Sequence, residues 1–433
     1  MIDADSVPPM PDDEPAGNGD PDAEFFDATP ILKAIADFAW SRYTSRLAVL
    51  GCVLRRGIAL IPPSVKLPAI TGAAASLNFY TVTAGASGQG KDAADGAGFD
   101  AVDFFDQQRE LFPEARQAGG GSGEGLARIF RGRKGQPPVT AVHVMFNEVS
   151  KLGALIDRQG ATLESELLAG YMGQRLGAEN NSKDTTTVVE PHTYRLCLGV
   201  GAQPENADFF LSRERNGFPQ RFLWLPASDP WCPQPAGEPA RALTPITVAL
   251  PAFGSGIRFI DVPERIRQEV VECRWRALVD DPGMDPLDGH LMLTRLKVAV
   301  GLALLHGGLD VDEGFWWLAG HLMLRSRQTR DQMRTAVEAR RRRENTARAS
   351  ARAEAQVIVE TRLADARADR VLRAIKRKLA AGGETTEGDL RRCLDSSIRG
   401  DFNAVFTVLV DEGLLVSYGT TQKGTIVWGW RRG

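Results

Sequence analysis

A chain of 433 residues exceeds the size at which one hydrophobic core usually stops growing, so two or three domains are expected. With 43% hydrophobic and 25% charged residues it has a globular balance, and a net charge of −3 argues against a strongly basic nucleic-acid coat protein. That total is a cancellation of blocks: residues 1–24 hold eight Asp/Glu and no Lys or Arg, whereas residues 321–381 hold seventeen Lys/Arg against seven Asp/Glu.

The acidic, Pro-rich stretch 1–24 buries too little apolar surface to offset its ordering entropy and is expected to be disordered. From Pro30 to Gly57 the apolar spacing is helical, within an N-terminal helical segment at 25–70, and Thr29-Pro30 reads as a cap and first turn. Leu77 to Thr83 (LNFYTVT) is strand-like and runs directly into GASGQGKD. The stretch after it, AADGAGFDAVDFFDQQ, continues as a helix, and residues 119–125 (GGGSGEG) form a loop. Val139 to Phe146 reads as a second strand ending at Asn147-Glu148. Leu163 to Leu176 is helical, and Tyr194 to Val200 and Arg221 to Leu225 are further strands. Strands alternating with helices predict an α/β domain with a mostly parallel sheet over 71–262.

Residues 263–335 predict a helical subdomain. From His321 to Ala381 there is neither Gly nor Pro, and one helix of that length would reach about 90 Å. A break near Asn345-Thr346 or Ala349-Ser350 is therefore expected, within an Arg/Ala-rich helical linker at 336–368. Residues 369–433 read as a winged helix. Val371, Leu372, Ile375 and Leu379 mark a first helix, Thr386 with Asp389 caps a second, and Phe402 to Val410 form a third stopped by Gly413. LLVSYG and TIVWGW supply the wing. The longest apolar run, Val298 to His306, is shorter than the ~20 residues that cross a bilayer. Five scattered Cys and five scattered His offer neither a zinc spacing nor a disulfide framework. Together these features predict a soluble chain of a reducing compartment with no membrane partner.

The main chemical signal is Gly85-Ala86-Ser87-Gly88-Gln89-Gly90-Lys91-Asp92, which matches G-x-x-x-x-G-K-[ST] except at its last position. Gly85, Gly88 and Gly90 let the backbone wrap the phosphates of ATP, and Lys91 reaches toward the β- and γ-phosphates. Asp92 stands where a hydroxyl usually ligates Mg²⁺. The bland alternative is a left-handed glycine turn with an exposed lysine. Asn147 stands where Asp is usual, and Glu148 is placed to orient the attacking water. Either Asp92 supplies the charge at Mg²⁺ that Asn147 lacks, or the site has lost hydrolysis. Arg213, Arg215 and Arg221 cluster before a strand, and Arg221 is the candidate for an arginine finger into a neighbouring subunit, against the alternative of surface salt bridges. Gln203 is a candidate γ-phosphate sensor or a solvated amide, and His192 reads as structural.

GASGQGKDAA, GSGEGLARIF, VMFNEVSKL, ELLAGYMGQRL, VVEPHTYRLCLGVGAQ and NGFPQRFLW follow one another in an order that resembles the RecA-like helicase module of phage and mobile-element primase/helicase-like replication proteins. The resemblance covers about residues 28–335. It implies a RecA-like P-loop NTPase core with a helical extension, ATP-dependent activity, DNA as partner, an oligomeric ring such as a hexamer and other replication proteins nearby, in the cytoplasm of a bacterial host. Lys91, Glu148, Gln203 and Arg221 fall on that family's functional positions, whereas Asp92 and Asn147 depart from its pattern. In the winged helix Arg391, Arg392, Arg399, Asn403, Thr407 and Lys423 are candidates for DNA, as is Arg341 in the run Arg340 to Arg343. Asp411-Glu412 at the end of the third helix would repel phosphate, and protein docking is the alternative role. Three readings stand: a DNA helicase or translocase, a non-hydrolysing replication initiator, and a winged-helix transcriptional regulator.

Overall fold

Alternation along the strand Phe79–Ala84 sorts its side chains onto two cores. Phe79 joins one with Cys197, Leu223 and Leu225; Tyr80, Val82 and Ala84 join the other with Leu196, Leu198, Val200, Phe222 and Trp224. A strand covered on both faces belongs inside a layered α/β sheet. The computed structural model, which describes residues 19–132, 137–179, 186–213, 216–235 and 243–431, places it there. Five strands lie in the order Arg116–Gly119, Ala141–Phe146, Arg195–Ala202, Phe79–Ala84, Phe222–Pro226, and every adjacent pair is parallel. After Phe79–Ala84 the chain crosses to the far edge of the sheet and works back. After Arg195–Ala202 it crosses to the other side. The carboxyl ends of these two neighbours therefore form a topological switch point, the place where open α/β sheets bind ligands.

The helix Arg46–Leu60 is buried along all 15 residues. With Pro30–Ser41, Lys91–Ala101 and Leu291–Leu305 it builds the core on one face of the sheet; Gly123–Arg131, Val149–Ile156 and Leu163–Met172 cover the other. Thr29 caps as its sequence predicts, its Oγ1 accepting from Leu32 N at 3.3 Å. The α/β expectation holds in this coarse form, with several boundary corrections. Residues 1–18 of the expected acidic tail lie outside the described residues, but Asp20 and Asp22 are anchored. Arg46 pairs with both Asp20 and Asp229 at 2.8 Å, and Asp22 lies 2.8 Å from His321 Nε2 and 3.0 Å from Arg325 Nε. These partners are remote in sequence, so local composition hides them. The helix after the glycine loop stops at Ala101, and Val102–Phe105 is a strand parallel to Ile246–Ala249, with Val102 and Phe104 in the core. Arg116–Gly119 (RQAG) has no β signature and becomes a strand by pairing with Ala141–Phe146. Leu163–Met172 ends four residues before the expected Leu176 because Gly173 adopts φ +75°.

The chain divides into two compact units, the first ending at Arg340 and the second starting at Arg341. No break occurs at Asn345 or Ala349: one helix runs from Glu313 to Gly382. From His321 to Ala381 it holds neither Gly nor Pro and is rich in Ala and Arg, strong helix formers. In the second unit Val371, Ile375 and Leu379 of that helix pack with Leu390, Phe402, Phe406, Leu409 and Leu415. The helices Glu387–Arg392 and Phe402–Asp411 precede the hairpin Leu415–Thr420/Ile426–Trp430, and Thr385–Thr386 joins Ile426–Trp430 to make an antiparallel three-stranded sheet. Thr386 Oγ1 accepts from Asp389 N at 3.2 Å, and Gly413 at φ +67° ends the second of these helices. Among the described residues no helix is long and apolar enough to cross a membrane.

Candidate functional site

The glycine-rich loop leaves the sheet at the switch point. Gly85 N donates to Ala202 O at 2.9 Å and Ala227 N to Ala84 O at 2.7 Å, so sheet pairing continues up to the first loop residue. A Cβ on Gly85 would lie 2.6 Å from that of Ala227, which excludes any larger residue without movement. Gly88 (φ +81°) and Gly90 (φ +74°) adopt the left-handed conformation that turns the loop into the helix Lys91–Ala101. Lys91 is buried, and its Nζ donates to Gly85 O and Ala86 O, each at 2.9 Å. Its ammonium is thus folded onto the loop that would surround an anion. Ser87 is exposed at the loop tip. Sequence reasoning missed Gln89, whose Oε1 accepts from Ala86 N at 2.7 Å and clips the loop shut. Asp92 is exposed in the first helical turn, where a carboxylate interacts favourably with the helix dipole but opposes a phosphate unless a cation lies between them.

Asn147 and Glu148 follow the strand Ala141–Phe146, at the same carboxyl edge. A Cβ on Gly201 would stand 2.2 Å from Asn147 O, so glycine at 201 is what lets the end of this strand approach the central one. Glu148 is exposed, opens the helix Val149–Ile156 and accepts from Ser150 Oγ at 3.1 Å. Gln203 follows Ala202 directly, half-buried, its Oε1 accepting from Asn206 Nδ2 at 3.3 Å. The fold therefore gathers the Gly85–Asp92 loop, Asn147-Glu148 and Gln203 along one sheet edge.

Arg221 is not among them. It precedes Phe222–Pro226 and lies at the amino edge, with its Nη1 on Gly217 O and its guanidinium 6.0 Å from the Tyr171 ring. Within one chain it does not reach the loop. Lys297 packs on the same ring at 3.3 Å, fully buried, donating to Asn78 O (2.7 Å) and Tyr171 O (2.9 Å); burial pushes its amine well below its ordinary value. Arg213 is paired with Asp157 and Glu164 and stacks on Phe209, and Arg215 lies outside the described residues. His192 precedes the strand Arg195–Ala202 at the amino edge. In the second unit Arg391, Arg392, Arg399, Asn403, Thr407 and Lys423 are exposed, as is Arg341. Arg392 is engaged by Asp389, and Arg399 donates to Leu394 O at 2.9 Å.

Beneath the loop lies a polar network that sequence reasoning missed. Arg55, on the buried helix Arg46–Leu60, donates from Nε to His143 Nε2, from Nη1 to Thr81 Oγ1 and from Nη2 to Asp95. It thereby joins the strand before the loop, the strand before Asn147 and the helix that Lys91 opens. Its signal was available: Arg55-Arg56 interrupt an otherwise apolar run, LGCVLRRGIAL. Among the described residues no group of three or more His, Cys, Asp or Glu is placed to hold a metal. Asp92 and Asn147 offer oxygen donors of the kind Mg²⁺ takes. No protein-family model matches the chain, and no curated protein matches it.

Proposed function

We propose that this chain is an ATP-dependent DNA translocase or helicase of RecA-like type, active as a ring of copies in phage or mobile-element replication. The observation that carries the reading is Lys91, folded onto the carbonyls of a left-handed glycine loop at the switch point of a parallel sheet, with Glu148 and Gln203 on the same edge. Bound ATP would take the loop's backbone N–H groups and draw the Lys91 ammonium off Gly85 and Ala86. Mg²⁺ would neutralise phosphate charge, held by Asp92 and Asn147. Glu148 would orient water, and Arg221 at the opposite edge suits contact with a neighbouring copy better than with its own loop. The second unit is read as a winged helix, with Arg391, Arg392, Arg399, Asn403 and Lys423, together with Arg341 of the long helix, contacting DNA. Asp92 favours one second reading: a carboxylate in the first turn of the helix after the glycine loop, in place of a hydroxyl, suits a nucleotide site that drives assembly of a replication initiator without turnover.

The test is ATP hydrolysis, with and without single-stranded DNA, by the native chain and Lys91→Ala. DNA-stimulated turnover is expected, at least tenfold lower in the variant. Equal rates in the two proteins would remove the motor. ATP binding without hydrolysis, lost in Lys91→Ala, would select the initiator.

A further inference from the structure

The first unit holds a second concave site, far from the glycine loop. A cavity of about 600 Å³ opens at the amino edge of the sheet, between the Leu67–Ala75 segment and the helices Glu264–Leu278 and Leu291–Leu305. That volume suits a small organic molecule. Its walls are mostly apolar, with three thioethers, Met172, Met284 and Met292, which make favourable contacts with aromatic rings. Its polar lining includes His192, His290 and Gln174, with Thr71 and the Cys273 thiol beside them. Burial, with the nearby Arg221 and Lys297, pushes His290 down to about 3, and burial, with Lys66 and Arg195, also lowers His192. Both rings are therefore neutral at pH 7, each with one donor and one acceptor, as the Gln174 amide also offers. Asp288 contributes no free charge, because Arg327 and Arg330 hold its carboxylate at 2.9 and 3.0 Å; Arg274 is exposed.

The backbone is strained to present His192. Its φ is +59°, rare for a non-glycine residue, and its N donates to Gly173 O at 2.9 Å. Gly173 is itself left-handed, and a Cβ there would meet Ser76 Cβ at 2.6 Å and His192 Nδ1 at 3.0 Å. His192 Nδ1 is buried without a hydrogen-bond partner. Such strain concentrates at ligand sites.

We propose that this cavity binds a neutral, planar heteroaromatic molecule of nucleobase type, its faces against the thioethers and its edge hydrogen-bonded by His192, His290 and Gln174. The site lies on the opposite sheet edge from the glycine loop and does not depend on the nucleotide reading.

Saturation-transfer NMR on the full chain with adenine, hypoxanthine, cytosine and uracil tests it. At least one base is expected to bind. Affinity should fall at least tenfold in Ala277→Trp, which fills the cavity, and in His290→Phe, which keeps a ring but removes its hydrogen bonds, with both variants unfolding at temperatures close to the native chain's. Excess inorganic triphosphate, which carries no base, should not displace the bound base. Absence of binding by all four bases, binding unchanged in Ala277→Trp, or displacement by inorganic triphosphate would each overturn the proposal; a His290→Phe variant that binds as well as the native chain would overturn the edge recognition.

Discussion

Arg55→Met is expected to lower the stability of the first unit by about 3–5 kcal/mol, the usual cost of removing one partner from a buried ion pair. The Arg55 side chain is 1% exposed and Asp95 16%, so water replaces the lost partner at Asp95 only in part. Methionine keeps most of the volume, so the loss reports pairing rather than packing. The network has no slack. A Cβ on Gly199 would lie 2.7 Å from Arg55 Cζ, and His143 Nε2 accepts the Arg55 Nε proton. That acceptor role requires a neutral imidazole, consistent with burial and the adjacent Arg55 and Arg56, which push His143 well below its ordinary value. Urea unfolding followed by tryptophan fluorescence checks the magnitude. Adding Asp95→Asn should recover part of the loss, because the two residues couple directly. A cost below about 1 kcal/mol in Arg55→Met would show that the network is a passenger of the fold. Because Asp95 sits one turn after Lys91, the same variant should also loosen the glycine loop, seen as faster amide exchange at Gly88 and Gly90.

What was legible in this sequence is what neighbours in sequence decide. Thr29-Pro30, Thr386 with Asp389, and Gly413 are terminators whose partners lie within four residues, and they stand where their chemistry predicts. The LNFYTVT strand and the glycine loop were legible for the same reason. Lys91, Asn147, Glu148 and Gln203 each follow a recognisable strand, yet their meeting along one edge depends on strand order, which no local pattern encodes. The strand Arg116–Gly119 exists because Ala141–Phe146 offers it an edge, and Val102–Phe105 because Ile246–Ala249 does. Asp20 and Asp22 looked solvated until Arg46, Arg325 and His321 arrived from elsewhere in the chain. Arg55 and Lys297 are the converse: cations in apolar runs, whose acceptors only the tertiary fold supplies. Arg221 shows the limit at the site, since proximity in sequence to a strand says nothing about which end of the sheet that strand presents.

Acidification from pH 7 to pH 4.5 is expected to destabilise the first unit, and His290 should account for about 2–3 kcal/mol of the loss. Its imidazole ordinarily titrates near 6.5 and is pushed down to about 3 in the fold, by burial first and then by Arg221 and Lys297. Between these values the unfolded chain binds a proton that the native state refuses, so stability is full above about 6.5 and falls as pH drops toward 3. His143 and His192 are lowered as well and act in the same direction. The carboxylate of Asp229, buried but hydrogen-bonded by Arg46 and Trp40, is depressed, so its contribution is lost only below the ordinary value of 3.8, outside this window. Glu166, raised by burial, takes up its proton in the native state above its ordinary value of 4.5 and so opposes the trend there. Glu166 and Asp229 are common to the native chain and His290→Phe, so the difference between the two over the interval from 6.5 to about 5 isolates His290. Thermal or urea unfolding of the native chain and His290→Phe across that interval separates the contributions. The variant should lose less stability on acidification than the native chain, by up to about 1.4 kcal/mol per pH unit. Parallel pH profiles for the two proteins would mean that His290 is protonated in the native state, and the neutral edge of the cavity would go with it.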